Sequence, residues 1–297
     1  NLLLLENKMA KVKYLLLLLI LVSFGVYFNS LFNGFVYDDP ELILKNDFIK
    51  DLRYIKFLFQ PKVYFKYFSE SVYRPITTLS LFIDHYLWKE NALGWHLSNI
   101  ILHTIAVLLI YLVLSRLIPS IAFISALIFA VHPLNTEAVN GITFREDIQA
   151  MILVLGSILL YLRWRETRRG MFPAGALIMF AIALFAKEMA ITLPIVILLI
   201  EYLIREKKIG FALRSSLPFF AIATLWLLGR FFVYYPQGIV REWDLNQPNA
   251  LVASELKGAI PFLTGLKSLA FFYLPKFVFP YKLEGSPYFK PVTRFFS

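Results

Sequence analysis

The chemistry-bearing residues of this chain are few and gathered. Asp38 and Asp39 are adjacent carboxylates. His96, Asn99 and His103 stand at i, i+3 and i+7, a spacing that puts all three on one face of a helix. At the α-helical rise His103 lies about 10 Å farther along than His96. Then come His132 and Glu137 in the run His132-Pro133-Leu134-Asn135-Thr136-Glu137, the triplet Arg145-Glu146-Asp147, the pair Lys187-Glu188, and Arg230 in an otherwise apolar stretch. A carboxylate pair with Arg, Lys and His nearby suits transfer of a group from a phosphate carried on a lipid. The carboxylate takes the proton of an acceptor hydroxyl. The cations stabilise the phosphate that leaves. Apolar and aromatic residues, 29 Phe among them, supply a surface for an isoprenoid tail.

Each feature also has a plain structural reading. Lys187-Glu188 is then a helix-end ion pair, His96 and His103 bond neighbouring helices, Arg230 snorkels to headgroups, and Asp38-Asp39 is a solvated turn. Other chemistries find no support. The chain has no cysteine, so disulfides, thiolate metal sites and cysteine nucleophiles are excluded. Zinc-peptidase motifs, a P-loop and a dinucleotide fingerprint are absent from the sequence, and Gly156-Ser157 lacks the context of a serine nucleophile.

Membrane helices must position these groups. Of the 297 residues 59% are hydrophobic and 17% charged, against about 45–50% and 25% in soluble domains. Apolar runs predict spans at 14–32, 94–115, 117–131, 148–164, 171–186, 190–204 and 216–235, with 259–280 as an eighth span or an interfacial helix. Several are short of 20 residues and need polar ends in the interface. The first run follows Lys8, Lys11 and Lys13 but is long and has no cleavage site, so it reads as a retained helix. Segment 33–91 mixes charges with aromatics such as Phe48, Tyr54, Phe57, Tyr64 and Phe68, a pattern of amphipathic helices along a membrane surface. The expected architecture is one all-α polytopic membrane domain over 1–297, C-terminally incomplete.

Seven spans sort the loops into two sets. One set, with the N-terminus, holds twelve Lys and Arg against four acids; the other holds ten against twelve. The positive-inside rule puts the N-terminus in the cytoplasm. It also accounts for most of the net charge of +10 without nucleic acid. Segment 33–91, all four histidines and Lys187-Glu188 then face the non-cytoplasmic side. Polar groups inside membrane helices are costly and usually functional, and here they collect at one face.

Phe35-Val36-Tyr37-Asp38-Asp39 followed by Val72-Tyr73-Arg74-Pro75 resembles the start of the transmembrane and tetratricopeptide-repeat O-mannosyltransferases and their bacterial relatives. Gly94-Trp95-His96-Leu97-Ser98-Asn99-Ile100-Ile101-Leu102-His103, then Phe129-Ala130-Val131-His132-Pro133-Leu134-Asn135-Thr136-Glu137-Ala138-Val139, and Lys187-Glu188 with Ile191-Thr192, are similar to later motifs of that family. The resemblance runs from about Gly34 to Arg230 and implies a GT-C-type helical bundle. Such a glycosyltransferase moves a hexose, mannose in this family, from a polyprenyl-phosphate donor to an acceptor hydroxyl of protein or glycan. It works by inversion, in a bacterial inner membrane or the endoplasmic reticulum. By carry-over Asp38 is the base with Asp39 beside it, and Arg230 binds donor phosphate. Arg74, His96, His103, His132, Glu137, Arg145, Lys187 and Glu188 line or brace the site. Tetratricopeptide repeats are absent from this sequence, and the family's histidine and Arg-Asp loop reads Thr143-Phe144-Arg145-Glu146-Asp147. A divalent cation, Mg²⁺ or Mn²⁺, between Asp38 and Asp39 and neutralisation by Arg and Lys alone both remain open, the resemblance favouring the second. The competing classes are a transporter or flippase for a lipid-linked or anionic substrate, which would place such groups near the midplane within inverted repeats, and an inert membrane scaffold.

Overall fold

The computed structural model describes residues 2–68, 72–167, 173–205 and 208–230, with the backbone alone for residues 2–9. The expected span at 259–280 and the end of the one at 216–235 lie outside the described residues. Every regular element among the described residues is helical. The α-helices are α1 (Leu2–Val26), α2 (Pro61–Tyr67), α3 (Pro75–Trp88), α4 (Ala92–Leu117), α5 (Ala122–Val131), α6 (Thr136–Asn140), α7 (Glu146–Thr167), α8 (Ala174–Leu184), α9 (Leu193–Leu199) and α10 (Ile209–Gly229).

By length and composition Ala92–Leu117, Thr143–Thr167 and Ile209–Gly229 can each cross a membrane, and α5 with Pro133–Asn140 forms a fourth candidate bent by 52°. The protein is an all-α polytopic membrane protein. The bend has a local cause. Pro133 supplies no N–H and disfavours helical backbone at His132, which sits at φ −70°, ψ 124°. The run 117–131 shares its first residue with α4, and only Ala122–Val131 is a separate α-helix. The run 190–204 is built from three kinds of turn: 3₁₀ over Glu188–Thr192, α9, and a π-helix over Ile200–Arg205.

α4 is the central post. It packs on α1 through Leu19, Val107 and Tyr111, and Ser23 Oγ donates to Thr104 Oγ1 at 3.1 Å. Ala122, Ala126 and Ala130 form a small-residue stripe that lets α5 approach it. In lipid, helices associate by packing rather than by hydrophobic expulsion, so such stripes matter. α7 and α8 meet where a Cβ on Gly156 would lie 2.7 Å from Met179 Sδ, and Ser157 Oγ donates to Ala176 O at 2.7 Å. α10 closes this half, with Phe219 packed on Tyr161 and Phe180.

Segment 33–91 has a core of its own around Ile43, Ile49, Leu58, Tyr64, Phe68, Phe82 and Trp95. Tyr64 and Thr78 hydroxyls lie 2.6 Å apart, and Tyr73 Oη donates to Leu58 O at 2.9 Å. α3 carries apolar residues on both faces, and its polar ones point inward. Thr78, Leu81, Phe82 and His85 are buried, while Ile83, Tyr86 and Leu87 are exposed on the other face. Gly94 makes the α3–α4 corner tight, because a Cβ there would sit 2.3 Å from the Trp88 ring.

Two residues counted with the loops of the N-terminal side are buried. Arg165 on α7 pairs with Glu201 on the π-helix at 2.8 and 3.1 Å, and Tyr161 Oη donates to Glu201 at 2.7 Å. Their charges cancel, so the count of loop charges keeps its sign. Arg116 and Glu166 pair at 3.3 Å and join the C-terminal ends of α4 and α7.

Candidate active site

Adjacent in sequence, Asp38 and Asp39 have unlike surroundings. Asp39 is fully buried, Asp38 exposed. Asp39 Oδ2 accepts from Val36 N at 3.0 Å, and Oδ1 accepts from Thr143 N and Thr143 Oγ1 at 3.0 Å each. Three donors satisfy a buried carboxylate, so Asp39 ties the start of segment 33–91 to the turn before α7. The same turn is closed by Asp39 N donating to Val36 O at 3.0 Å. Among the described residues no three His, Asp or Glu side chains gather where one ion could be held. A cation between the two Asp residues would compete with Val36 and Thr143 for the fully buried Asp39 carboxylate.

Six charges form an alternating chain where α3 and α7 begin and α10 ends. Arg230 Nη2 lies 3.3 Å from Glu188 Oε1; Glu188 Oε2 accepts from Arg74 Nη2 at 3.1 Å. Arg74 Nη1 donates to Glu146 Oε1 at 2.7 Å, and Lys187 Nζ lies 3.5 Å from Glu146 and 2.6 Å from Asp147 Oδ2. Arg74 is the N-cap of α3, set there by Pro75 in the first turn. Glu146 and Asp147 occupy the first turn of α7, where the helix dipole favours anions. The middle of the chain is the drier part. Arg230, at one end, lies over Trp226 at 5.2 Å and, among the described residues, contacts the Glu188 carboxylate alone. Burial pushes the Glu188 carboxyl up, but its own backbone N–H together with Arg74 and Arg230 outweigh this and hold it below its usual value.

Most of the other expected site residues contact backbone or buried partners. His96 Nε2 is 3.3 Å from Gly34 O, Asn99 Nδ2 donates to Val139 O and Gly141 O at 3.1 Å each, and His103 Nε2 is 3.2 Å from Ala130 O. The polar face of α4 therefore meets backbone carbonyls left over where neighbouring segments are irregular. His103 is further enclosed by Tyr27 and Phe129. His132 Nδ1 accepts from Leu134 N at 3.2 Å and caps the short turn after α5. Glu137 is exposed on α6. Arg145 is buried, ion-paired to Asp84, bonded to Ile142 O at 2.9 Å, and placed over the Trp95 ring.

Segment Thr143–Asp147 links the Asp39 turn, the Asp84 pair and the charge row. Thr143 reaches Asp39, Phe144 packs on Tyr37 at 6.0 Å, Arg145 reaches Asp84, Glu146 reaches Arg74, and Asp147 reaches Lys187. Asp84, Thr143, Glu146 and Asp147 are thus functional contacts that the motifs alone do not assign. Asp84 carries its own signal: it is the sole formally charged residue in Pro75–Trp88, and a lone acid on a buried helix face requires a partner.

An all-α membrane bundle that presents an exposed carboxylate and a row of alternating charges places the chain among integral-membrane proteins with a polar site. Residues 76–234 match the model of the dolichyl-phosphate-mannose-protein mannosyltransferase family, and the chain belongs to that family. It is 34% identical over 160 residues to a protein O-mannosyl-transferase of Caenorhabditis elegans, covering 50% of this chain and 23% of that protein. It is 30% identical over 230 residues to Protein O-mannosyl-transferase TMTC3 of Homo sapiens (70% and 25%), and 28% over 272 residues to human TMTC2 (86% and 32%). The chain thus spans about a quarter to a third of the length of these relatives. No solved structure matches it.

Proposed function

We propose that the chain carries the membrane-embedded catalytic part of a mannosyltransferase. It takes mannose from a polyprenyl-phosphate donor and transfers it to an acceptor hydroxyl, a protein Ser or Thr, on the non-cytoplasmic side. The carrying observation is the contrast between exposed Asp38 and clasped Asp39, linked through Thr143–Asp147 to the charge row that ends in Arg230. Asp38 is the base. It takes the hydroxyl proton of the acceptor, whose oxygen attacks the anomeric carbon. The bond from that carbon to the phosphate oxygen breaks, and polyprenyl phosphate leaves with the electron pair. Single displacement inverts the anomeric centre. Arg230, with Arg74 and Lys187 behind it, stabilises the phosphate as its charge grows. Asp39 fixes the turn that aims Asp38. The reaction proceeds on this reading without a divalent cation, because Asp39 is already hydrogen-bonded and cations of the protein line the leaving-group side.

Radiolabelled mannosyl-phosphoryl-polyprenol and an acceptor peptide test it. Wild-type protein in nanodiscs transfers label, chelator leaves turnover unchanged, and Asp38→Asn abolishes transfer while retaining the lipid. Absence of transfer by the wild type to any hydroxyl acceptor overturns the reading.

A further inference from the structure

The turn that carries Asp38 has a second unusual residue. Tyr37 has φ 53°, and among the described non-glycine residues only Lys89 shares a positive φ. A glycine would adopt this backbone without the crowding that a Cβ brings. The turn is closed on both sides, by Asp39 N on Val36 O and by the Asp39 carboxylate on Val36 N and Thr143. Tyr37 and Asp38 are its two central residues and are held outward together. Tyr37 is 81% exposed, and Phe144 lies against its ring at a centroid distance of 6.0 Å with a 45° tilt. A large aromatic side chain thus stands in a strained position and contributes little to the core. A function beyond stability accounts for both features.

We propose that the Tyr37 ring is a stacking platform for the hexose of the donor, setting the sugar beside Asp38. The inference rests on the function proposed above. One face of a pyranose ring is a patch of C–H groups, and an aromatic face with its negative quadrupole attracts such a patch. Bare phosphate has no such patch, so Tyr37 distinguishes the sugar-bearing lipid from the lipid product. An aromatic anchor in the headgroup region would explain the exposure but not a backbone conformation that a neighbouring position could avoid.

Affinities of the nanodisc-held protein for mannosyl-phosphoryl-polyprenol and for bare polyprenyl phosphate test this. A stacking contact predicts that the wild type prefers the mannosyl lipid by roughly tenfold, the scale of one good aromatic contact. Tyr37→Ala then loses the preference with affinity for bare polyprenyl phosphate unchanged, and Tyr37→Phe keeps it. Tyr37→Gly separates the contact from folding: it unfolds at the wild-type temperature or above, yet loses the preference. Equal preference in wild type and Tyr37→Ala overturns the proposal, as does a wild type with no preference. Wild-type behaviour of Tyr37→Leu also overturns it, in favour of an interfacial anchor. Failure of the wild type to bind either lipid overturns the proposed function itself.

Discussion

Replacing Asp38 with Asn removes the proposed base from an exposed position, whereas Asp39→Asn puts an amide N–H₂ among three donors. The first change should lower kcat by about 10²–10⁴-fold, the usual contribution of a positioned base, with an unchanged unfolding temperature. The second should cost about 1–3 kcal/mol of stability, the penalty for buried donors left unmatched, measured by thermal unfolding in detergent. Glu188 provides a pH-dependent counterpart. Its folded carboxyl titrates below the ordinary value of 4.5. Its contribution to stability is therefore complete above pH 4.5, where the unfolded carboxylate is also charged. It is lost as pH falls through the lower folded value, because the unfolded state binds the proton first. Unfolding temperature followed from pH 6 to pH 3 should show this acid limb, and Glu188→Gln should flatten it. The motifs pointed to Asp38, Asp39, Lys187 and Glu188 as residue types. Which Asp is clasped was not legible, because Thr143, the residue that clasps Asp39, lies more than a hundred positions away.

At the scale of elements, the clearest consequence concerns α3, α4 and α7. The Arg145–Asp84 pair is buried, and Ser98 Oγ also donates to Asp84 Oδ1 at 2.8 Å. Removing one partner strands the other charge. Arg145→Met should destabilise the fold by about 3–5 kcal/mol, and Arg145→Met with Asp84→Leu should recover much of that; a double-mutant cycle on unfolding temperature measures the coupling. The two tight glycines should respond differently. Gly94→Ala drives a Cβ into the rigid Trp88 ring and should cost about 1–3 kcal/mol. Gly156→Ala meets the end of Met179, which can swing aside, and should cost less. Uncharged apolar runs made the helices of α4, α7 and α10 visible in the sequence. The bend at Pro133 and the mixed 3₁₀, α and π path from Glu188 to Arg205 were not visible as such, because they follow from how neighbouring segments satisfy each other's backbone groups.

At the scale of the molecule, charge asymmetry between the two sets of loops predicts a cytoplasmic N-terminus, and the lack of cysteine in the sequence makes that prediction testable. Lys62→Cys should react with an impermeant thiol reagent from the non-cytoplasmic side of sealed vesicles, and Lys208→Cys only after permeabilisation. Reversed labelling would put Asp38 and Arg230 on the cytoplasmic side and exclude the proposed orientation. Sequence alone determined that the chain is helical and membrane-embedded, because apolar length and charge placement are local and additive along the chain. It also exposed the motifs that mark the family. Only the tertiary structure decided that His96, Asn99 and His103 serve backbone carbonyls, that Arg145 serves Asp84, and that Glu146 and Asp147 enter the charge row through Arg74 and Lys187. The reason is that a charged or polar side chain takes its role from the partner it meets, and these partners come from segments that only folding brings together.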